Sequence, residues 1–422
     1  MSEVNIGINT IDDFDFDNKT VILRIDINSP IDPKTKKITN ENRISKSVST
    51  IRELLEKGSK LAILAHQGDT LDYYNLIPLE EHAQKLSEKL KREIRYIDDV
   101  AGPAAQENVR SLKRGEAVLL GNVRYLTEEV STFEDVVKLN PEEMLNTYLI
   151  RHLAPLGNYY VNDAFSAAHR NSPSMVAFEE LLPSAGGKQL IAEVEALTKV
   201  TQNPKRPSIF VLGGLKISDA FSMMKKALES NSADKILTCG VTGIIMLMSQ
   251  GKKFGKNQEK FIHDRSLDVF LNPAKELISK FGDHFINPVD FAYEKNGQRY
   301  ECEIEDLPID EAIFLDIGSK TIGLFKKEIA MAETIIVNGP PGVYENKLFE
   351  MGTKEIWNAI ANAKGYSVIG GGDSVSAAQK LVQNAESKFG YISTAGGAMI
   401  RFLSGVELPL LKALKKAYLK WK

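Results

Sequence analysis

Charged and glycine-rich segments divide this chain into two chemically different halves. From about residue 190, the strand ends are rich in glycine: GG at 213, CG at 239, NGPPG from 338, GGGD from 370 and AGG from 395. Cationic side chains suit an anionic substrate, and backbone amides freed by glycine and aimed by helix N-termini suit the phosphates of a nucleotide. Among the basic residues of the first half, those singled out as candidates are Arg24, Arg43, Arg124, Arg151, Arg170, His66 and His169.

Composition excludes several classes of protein. The 422 residues are 43% hydrophobic and 26% charged, which is typical of a globular protein of two or three domains. A net charge of -3 argues against a general nucleic-acid binder. The two cysteines, Cys239 and Cys302, lack disulfide-framework and metal-ligand spacing. The acidic start and the absence of a long apolar run predict a cytoplasmic protein without a membrane partner.

Short β-rich runs alternate with helical patterns, which predicts parallel sheets built from right-handed crossovers. One predicted helix is capped by Asn40 and stopped by Gly58, with apolar residues at helical spacing from Ile44 to Leu55. The polar and glycine-rich residues gather at the carboxyl ends of the strands, where open α/β sheets bind ligands. The runs are VILRIDI, KLAILAH, EAVLLGN, YYVNDAF, SIFVLGG, KILTCG, EAIFLDIG, TIIVNGP, YSVIGGG and YISTAGG.

Eight motifs in collinear order resemble the succession found in phosphoglycerate kinase. The match runs from about residue 20 to 405, and the lengths between motifs are closest to the archaeal branch of that family. Each motif alone is weak, but eight in order are specific. They are RIDINSP (24–30), NENR (40–43), AHQG (65–68), GNVRY (121–125), VNDAFSAAHR (161–170), FVLGGLKISD (210–219), NGPPGVYE (338–345) and IGGGDS (369–374).

The resemblance implies two doubly wound, Rossmann-like parallel-sheet domains joined by a hinge helix, for which LLPSAGGKQLIAEVEALTKV is the candidate. Residues 1–185 would bind 3-phosphoglycerate, and residues 186–398 would bind the nucleotide. Residues 399–422 would return to pack on the N-terminal domain. Because substrate and nucleotide would lie on different domains, a hinge closure near residues 185–200 is expected.

Three polar residues of the first half are assigned to the reacting end of the acceptor. Asp26 and Asn28 alternate with isoleucines, so both emerge on one face of a strand end. By resemblance they bind the glycerate hydroxyl and carboxylate end; shaping a turn is the alternative. Arg43 begins a helix, where a cation is unfavourable against the helix dipole. In the family this position reaches the transferring phosphoryl group; a surface arginine is the alternative.

His66, Arg124 and Arg170 resemble the family's clamp on the remote phosphate of 3-phosphoglycerate. Arginine suits this task because its guanidinium makes paired, charge-assisted bonds to phosphate oxygens. Any one of the three could be an ordinary surface residue, but their collinear placement at strand ends favours the clamp as a set.

One member of that clamp departs from the family pattern. The family usually has His-x-Gly-Arg, and this chain has HQGD, with Asp69 in place of the arginine. An aspartate beside a phosphate is repulsive. Either Asp69 points away and another cation replaces the arginine, with Arg151 and His169 as candidates, or the substrate differs at that end.

The second half carries the residues that resemble the family's nucleotide site. Lys216 would contact the transferring phosphoryl group, Glu345 the ribose hydroxyls, and Asp373 would hold Mg²⁺. Cys239 is a candidate for narrowing the adenine pocket, which leaves the nucleotide preference open. A plain turn is the alternative for the glycine-rich segments. The implied nucleotide-binding residues are Gly213, Gly214, Lys216, Gly240, Asn338, Gly339, Pro340, Glu345, Gly371, Gly372, Asp373, Ser374, Gly396 and Gly397.

The expected reaction is the family's reversible phosphoryl transfer, as in glycolysis and gluconeogenesis. With Mg²⁺, ATP and the carboxylate of 3-phosphoglycerate would give 1,3-bisphosphoglycerate and ADP, stabilised by Arg43, Lys216 and the glycine amides. Two alternatives remain. One is a paralogous acyl-phosphate-forming kinase for another phosphorylated acid; the other is a non-catalytic nucleotide-binding scaffold. A monomer is expected, with a homodimer as the alternative.

Overall fold

The structure is a computed structural model that describes residues 6–69 and 73–421. The first five residues of the acidic N-terminal stretch and residue 422 lie outside the described residues. The strands are β1 Thr20–Ile25, β2 Lys60–Leu64, β3 Ile94–Tyr96, β4 Ala117–Leu119, β5 Tyr159–Asp163, β6 Ser184–Gly186, β7 Ser208–Leu212, β8 Lys235–Thr238, β9 Phe285–Ile286, β10 Asp290–Lys295, β11 Gln298–Glu303, β12 Phe314–Ile317, β13 Thr334–Asn338, β14 Tyr366–Gly370 and β15 Tyr391–Ile392.

The α-helices lie mostly between these strands, as expected for parallel sheets. They are α1 Asn42–Glu56, α2 Glu80–Leu90, α3 Pro103–Arg110, α4 Ser131–Val137, α5 Tyr148–Leu153, α6 Pro173–Val176, α7 Lys188–Thr201, α8 Ile217–Glu229, α9 Gly240–Ser249, α10 Lys256–Asp264, α11 Leu271–Phe281, α12 Ser319–Met331, α13 Met351–Ala361, α14 Gly372–Leu381, α15 Ala385–Lys388, α16 Gly396–Leu403 and α17 Pro409–Lys420. No described helix combines the length and the apolar character that a membrane span requires.

The chain divides into two compact units. The first runs to Glu195 and resumes at Glu407, and the second runs from Ala196 to Val406. Helix α7 begins in the first unit and ends in the second. The predicted domain boundaries, after residues 185 and 398, lie earlier in the chain than these divisions. The assignment of substrate to one domain and nucleotide to the other stays a prediction.

The first unit contains a six-stranded parallel sheet in the order β3-β4-β2-β1-β5-β6. Its apolar side chains are buried in a core that includes Val21 and Leu23 of β1 and Ile51 of α1. In the register of the central strands, Arg24 pairs with Leu64 of β2 and with Asn162 of β5. The segments that follow β1, β2 and β5 therefore begin side by side at one edge of the sheet.

The second unit contains a parallel sheet in the order β15-β14-β13-β7-β8-β9. Asn338 at the end of β13 pairs with Gly370 of β14 on one side and Leu212 of β7 on the other. This register brings the starts of the NGPPG, GGGD and GGLK segments together. The predicted fold class, two parallel-sheet α/β domains, is confirmed.

A small antiparallel sheet in the order β11-β10-β12 was missed by sequence reasoning. The hairpin turn is Asn296-Gly297, with φ of 55° and 73°. Asn-Gly is the preferred pair for a tight hairpin, so the signal was present. The run EAIFLDIG, predicted among the parallel strands, instead forms β12 and pairs antiparallel with β10. An apolar run alone cannot distinguish the two arrangements.

Helix α1 begins and ends close to its predicted limits, but its cap is different. The N-cap residue is Glu41, without a side-chain capping bond, whereas Asn40 accepts a hydrogen bond from the backbone N of Asn42 at 2.9 Å. The helix ends at Glu56, and Gly58 follows with a φ of 80°, as a helix stop requires.

The C-terminal helix α17 belongs to the first unit. Its backbone N at Leu410 donates to the carbonyl oxygen of Ala168 at 3.2 Å. Lys416 forms ion pairs with Glu142 and with Glu180, the latter at 2.7 Å. The segment around Ala168 is thus supported by the last helix of the chain.

Two leucines of α17 provide a matched test of this packing. Leu414 is fully buried, whereas Leu419 is 78% exposed. We expect Leu414→Ala to destabilise the protein by about 2–5 kcal/mol, because it removes buried apolar surface and leaves a cavity. Leu419→Ala should change stability by less than about 0.5 kcal/mol. Urea midpoints of the two variants and the native chain measure the difference; equal midpoints would contradict the packing of α17.

Candidate active site

Arg43 is held in the first unit by Asp26, directly after β1. The Nη1 atom of Arg43 lies 3.2 Å from Oδ1 and 3.1 Å from Oδ2 of Asp26. The hydroxyl of Ser166, in the loop after β5, also donates to Asp26. Asn28 accepts from the backbone N of Gly68 at 3.0 Å, which joins the loops after β1 and β2. Asp26 and Asn28 therefore order their neighbours, in addition to whatever they bind.

His66 is buried and its orientation is set by Arg24. The Nη2 atom of Arg24 lies 2.9 Å from Nδ1 of His66. Because arginine can only donate, Nδ1 must accept and the imidazole proton must lie on Nε2. Arg24 also donates from Nε to the hydroxyl of Ser174 at 3.2 Å, and that hydroxyl donates to Glu129 at 2.6 Å. A buried chain from Glu129 to His66 results.

Arg124, in the segment after β4, contacts the loop after β2. Its Nη1 donates to the carbonyl oxygen of Gly68 and lies 3.9 Å from Oδ1 of Asp69. The Asp69 side chain is 86% exposed, whereas the Arg124 side chain is only 12% exposed. Asp69 thus lies on the solvent side of Arg124 and within reach of its charge. The two candidates for replacing the missing clamp arginine differ in exposure. Arg151 is exposed on α5, whereas His169 is half-buried and precedes Arg170 in the chain.

Arg170 is paired with Glu134 of α4. Its Nε lies 2.8 Å from Oε2 of Glu134, and both side chains are largely buried. Sequence reasoning did not identify Glu134, because the two residues are far apart in the chain and α4 carries no motif.

Electrostatic effects show that the predicted cations act on one another. Burial, followed by the positive charges of Arg124, Arg24, Arg43 and Arg170, holds the pKa of His66 well below its ordinary value. Burial, together with Arg170 and Arg24, lowers the pKa of Arg124 to about 10. The first unit thus gathers the predicted substrate residues into one cation-rich site.

The second unit has a cavity of about 240 Å³ at the carboxyl ends of its central strands. Lys216, at the N-cap of α8, and Asp373, in the first turn of α14, provide its charged side chains together with Asp219. Asp219 was not predicted; burial raises its pKa and the charge of Lys216 opposes that rise. The cavity is lined by Gly213, Gly214, Leu215, Lys216, Asp219, Asn338, Gly339, Gly371, Gly372, Asp373, Ser374, Gly396, Gly397 and Ile400.

Two backbone segments approach each other closely beneath this cavity. The backbone N of Gly213 donates to the carbonyl oxygen of Asn338 at 3.0 Å, and that of Gly214 donates to Pro340 at 3.0 Å. Gly339 has a φ of 87°, and a Cβ atom there would collide with the carbonyl group of Gly213. Only glycine satisfies both conditions at this position.

Ser374 of α14 is hydrogen-bonded to the loop after β13. Its fully buried hydroxyl accepts from the backbone N of Gly339 at 2.7 Å. A hydroxyl can still donate, so its predicted contact with phosphate stays a prediction.

Three predicted nucleotide residues do not line the cavity. Gly240 and Pro340 lie against its floor, where a Cβ on Gly240 would come within 2.9 Å of the backbone N of Gly214 and 3.3 Å of the Pro340 oxygen. Glu345 is exposed, further along the loop that follows β13. Cys239 has no exposed surface and packs in the core behind Gly213, so its side chain faces away from open space.

The cation-rich site at one parallel sheet and the glycine-lined cavity with its lysine at another are features of α/β phosphotransferases. A family model described as phosphoglycerate kinase matches residues 11–406. The chain belongs to the phosphoglycerate kinase family.

Individual relatives are similar over nearly their whole length. The phosphoglycerate kinase of Methanococcus maripaludis is 44% identical over 417 residues, covering 98% of this chain and 99% of that protein. That of Methanothermus fervidus is 40% identical over 408 residues, covering 97% of each. The crystal structure of phosphoglycerate kinase from Pyrococcus horikoshii OT3 has a TM-score of 0.86 and 36% identity, covering 98% of this chain and all of that one. The predicted family, its archaeal type and the enzyme class are confirmed.

The Arg24–His66 contact leads to a spectroscopic prediction. We expect His66 to stay neutral at pH 6, with its proton on Nε2, because burial and the nearby arginines disfavour the imidazolium. Long-range ¹⁵N–¹H spectra of the histidine side chains measure this, and His66→Gln identifies the signal. An imidazolium, or a proton on Nδ1, would contradict the arrangement.

Two glycines of the cavity should respond differently to the same substitution. Gly339→Ala should cost at least about 2 kcal/mol, because it combines positive φ with a backbone collision. Gly372→Ala should change stability by less than about 1 kcal/mol, since a Cβ there meets no described atom within 4 Å. Thermal unfolding of both variants is the measurement, and similar losses would contradict the close approach.

Proposed function

We propose that this chain catalyses reversible, Mg²⁺-dependent phosphoryl transfer between ATP and the carboxylate of 3-phosphoglycerate. The observation that carries the proposal is the glycine-lined cavity with Lys216 at the start of one helix and Asp373 at the start of another. Exposed amides at helix N-termini bind phosphates, and a lysine there adds a mobile positive charge. The names of the relatives indicate the reaction class; the site residues supply the chemistry.

The acceptor needs no general base. A carboxylate is already ionised at neutral pH, so it can attack the γ-phosphorus of ATP directly. The bond from that phosphorus to the bridging oxygen breaks, and ADP leaves with the electron pair. No proton is transferred. The protein has to supply position and positive charge for the three equatorial oxygens.

Arg43 and Lys216 are the proposed sources of that charge. The carboxylate of Asp26 fixes one edge of the Arg43 guanidinium, so its geometry is set before substrate binds. Lys216 is exposed, which leaves its long side chain free to follow the phosphoryl group. Glycine amides of the cavity would hold the remaining nucleotide phosphates.

The residues present fit a magnesium ion shared with the nucleotide. Asp373 supplies one carboxylate on the cavity wall. The described residues contain no group of three or more His, Cys, Asp and Glu side chains able to hold a metal. Mg²⁺ commonly binds through one or two carboxylates plus substrate phosphates, and such an ion neutralises charge on them.

His66, Arg124 and Arg170 are the proposed binding group for the remote phosphate. The proton on Nε2 makes His66 a neutral donor, and the two arginines supply charge. The exposed position of Asp69 supports the view that its carboxylate can turn toward solvent when phosphate binds. Its position 3.9 Å from Arg124 also favours the second candidate, a related kinase for a different phosphorylated acid.

Steady-state kinetics with ATP, Mg²⁺ and 3-phosphoglycerate test the proposal. We expect the native chain to turn over and Lys216→Ala to lose about 10²–10³-fold in kcat, as for other charge-stabilising groups. Asp69→Arg should lower KM for 3-phosphoglycerate with kcat little changed, because it replaces repulsion with attraction.

Two results would contradict the proposal. In the first, the native chain is inactive with 3-phosphoglycerate and the Asp69→Arg variant is active. The natural acid would then lack the remote phosphate or present it elsewhere, and assays with a panel of acids would identify it. Turnover that survives in Lys216→Ala would remove the lysine from the mechanism. The cytoplasmic location and the monomeric state stay predictions.

A further inference from the structure

Glu134 is the ion-pair partner of Arg170 among the described residues. The Nε atom of Arg170 lies 2.8 Å from Oε2 of Glu134. The other carboxylate oxygen, Oε1, accepts from the backbone N of Asn171 at 2.7 Å. One carboxylate therefore fixes both the side chain of Arg170 and the backbone that follows it.

Helix α4, which carries Glu134, contributes little to the hydrophobic core. All of its residues are described, and none of them is buried. Val136 is 75% exposed. The helix is attached instead by polar bonds to the segment after β5. Glu134 contacts Arg170 and Asn171, and the side chain of Asn171 donates at 2.9 Å to the carbonyl oxygen of Leu139, just after the helix. Core packing does not explain the position of Glu134.

Arg170 still has bonding capacity on its other edge. Its Nη2 is shielded from solvent and has no hydrogen-bond partner among the described residues. A buried donor without an acceptor is costly unless a ligand supplies one. The charge of Arg170 is also the largest charge effect on Arg124, and it reaches His66. The unpartnered Nη2 thus belongs to an arginine whose charge acts on Arg124 and His66, the other two residues proposed to bind the remote phosphate.

We propose that Glu134 is a positioning residue that holds Arg170 for the remote phosphate of the acceptor. This inference rests on the proposed function. The carboxylate contacts Nε, so the bond to Glu134 does not occupy the unpartnered Nη2. It also opposes the repulsion between Arg124 and Arg170, which would otherwise drive the long Arg170 side chain toward solvent.

Substitution of Glu134 with its isostere separates this role from simple support of α4. Arg170 and Asn171 lie at different oxygens of the Glu134 carboxylate, and Glu134→Gln turns one of these oxygens into an NH2 donor, so it cannot keep both contacts. We expect KM for 3-phosphoglycerate to rise about tenfold with kcat within twofold of native. Inorganic phosphate, titrated calorimetrically without nucleotide, should bind correspondingly more weakly. Glu134→Asp keeps the charge on a shorter side chain and should recover part of the loss.

Glu142→Gln is the matched control. Glu142 also pairs with a cation in the first unit, Lys416 of α17, but both side chains of that ion pair are exposed. We expect its KM and its phosphate affinity to stay native.

The outcomes separate this inference from the proposed function. If Glu134→Gln lowers the unfolding temperature but leaves KM and phosphate binding native, Glu134 only attaches α4, and the inference is wrong. A lower KM in Glu134→Gln would mean that Glu134 competes with the anion for Arg170, which would also overturn the inference. If the native chain shows no turnover with 3-phosphoglycerate, the proposed function fails, while the phosphate titration of the same variants still decides the role of Glu134. If Glu134→Gln does not fold, Glu134→Asp carries the same comparison.

Discussion

The repulsion among like charges that are partly removed from water is the constraint on which the first unit depends. Arg24, Arg43, Arg124 and Arg170 act together on one buried histidine. Such a group is unstable without compensation, because an unpaired charge is poorly solvated in the protein interior. Each arginine accordingly has a carboxylate within its network. Arg24 is linked to Glu129 through Ser174, and Arg43 contacts Asp26. Arg124 lies near Asp69, and Arg170 pairs with Glu134.

The four carboxylates differ in how far they are from water, and this difference suggests different tasks. Glu129 is fully buried and serves the internal chain that orients His66. Asp26 and Glu134 lie at the boundary and fix guanidinium geometry. Asp69 is mostly exposed and lies at the longest distance, so it neutralises weakly and can be screened by solvent. The carboxylates thus order the cations, while at least one donor, Nη2 of Arg170, has no partner among the described residues.

The second unit is constrained differently, by the close approach of two backbone segments. Its floor is made by two chain segments whose approach excludes side chains at Gly213 and Gly339. The charged side chains that line the cavity, Lys216, Asp219 and Asp373, all come from the starts of helices. The cavity of the second unit therefore depends on glycines that leave room for backbone, whereas the site of the first unit depends on pairing between arginines and carboxylates.

Sequence reasoning predicted the central strands of the two parallel sheets, and it placed their end residues together because parallel strands have their carboxyl ends at one edge of a sheet. It did not predict the short strands β3, β6 and β9. Arg43 lies in the first turn of α1, and His66 and Lys216 follow strand ends, as predicted; their roles stay predictions. It could not predict Glu129 or Glu134, since their partners are distant in the chain and neither lies in a motif. The Asn296-Gly297 hairpin was predictable and was missed, because the alternation of strands and helices dominated the interpretation of that region.

The division of the chain has a consequence for biosynthesis. The first unit includes helix α17, whereas the second unit lies entirely within the intervening sequence. A ribosome therefore releases every residue of the second unit before the first has its last helix. Leu410 and Leu414, which are buried in the completed first unit, emerge only after the whole second unit has been synthesised. Until then, the apolar surface that they cover is exposed to chaperones and to misassembly, so the first unit cannot complete its core before the second unit has been made, although its synthesis begins first.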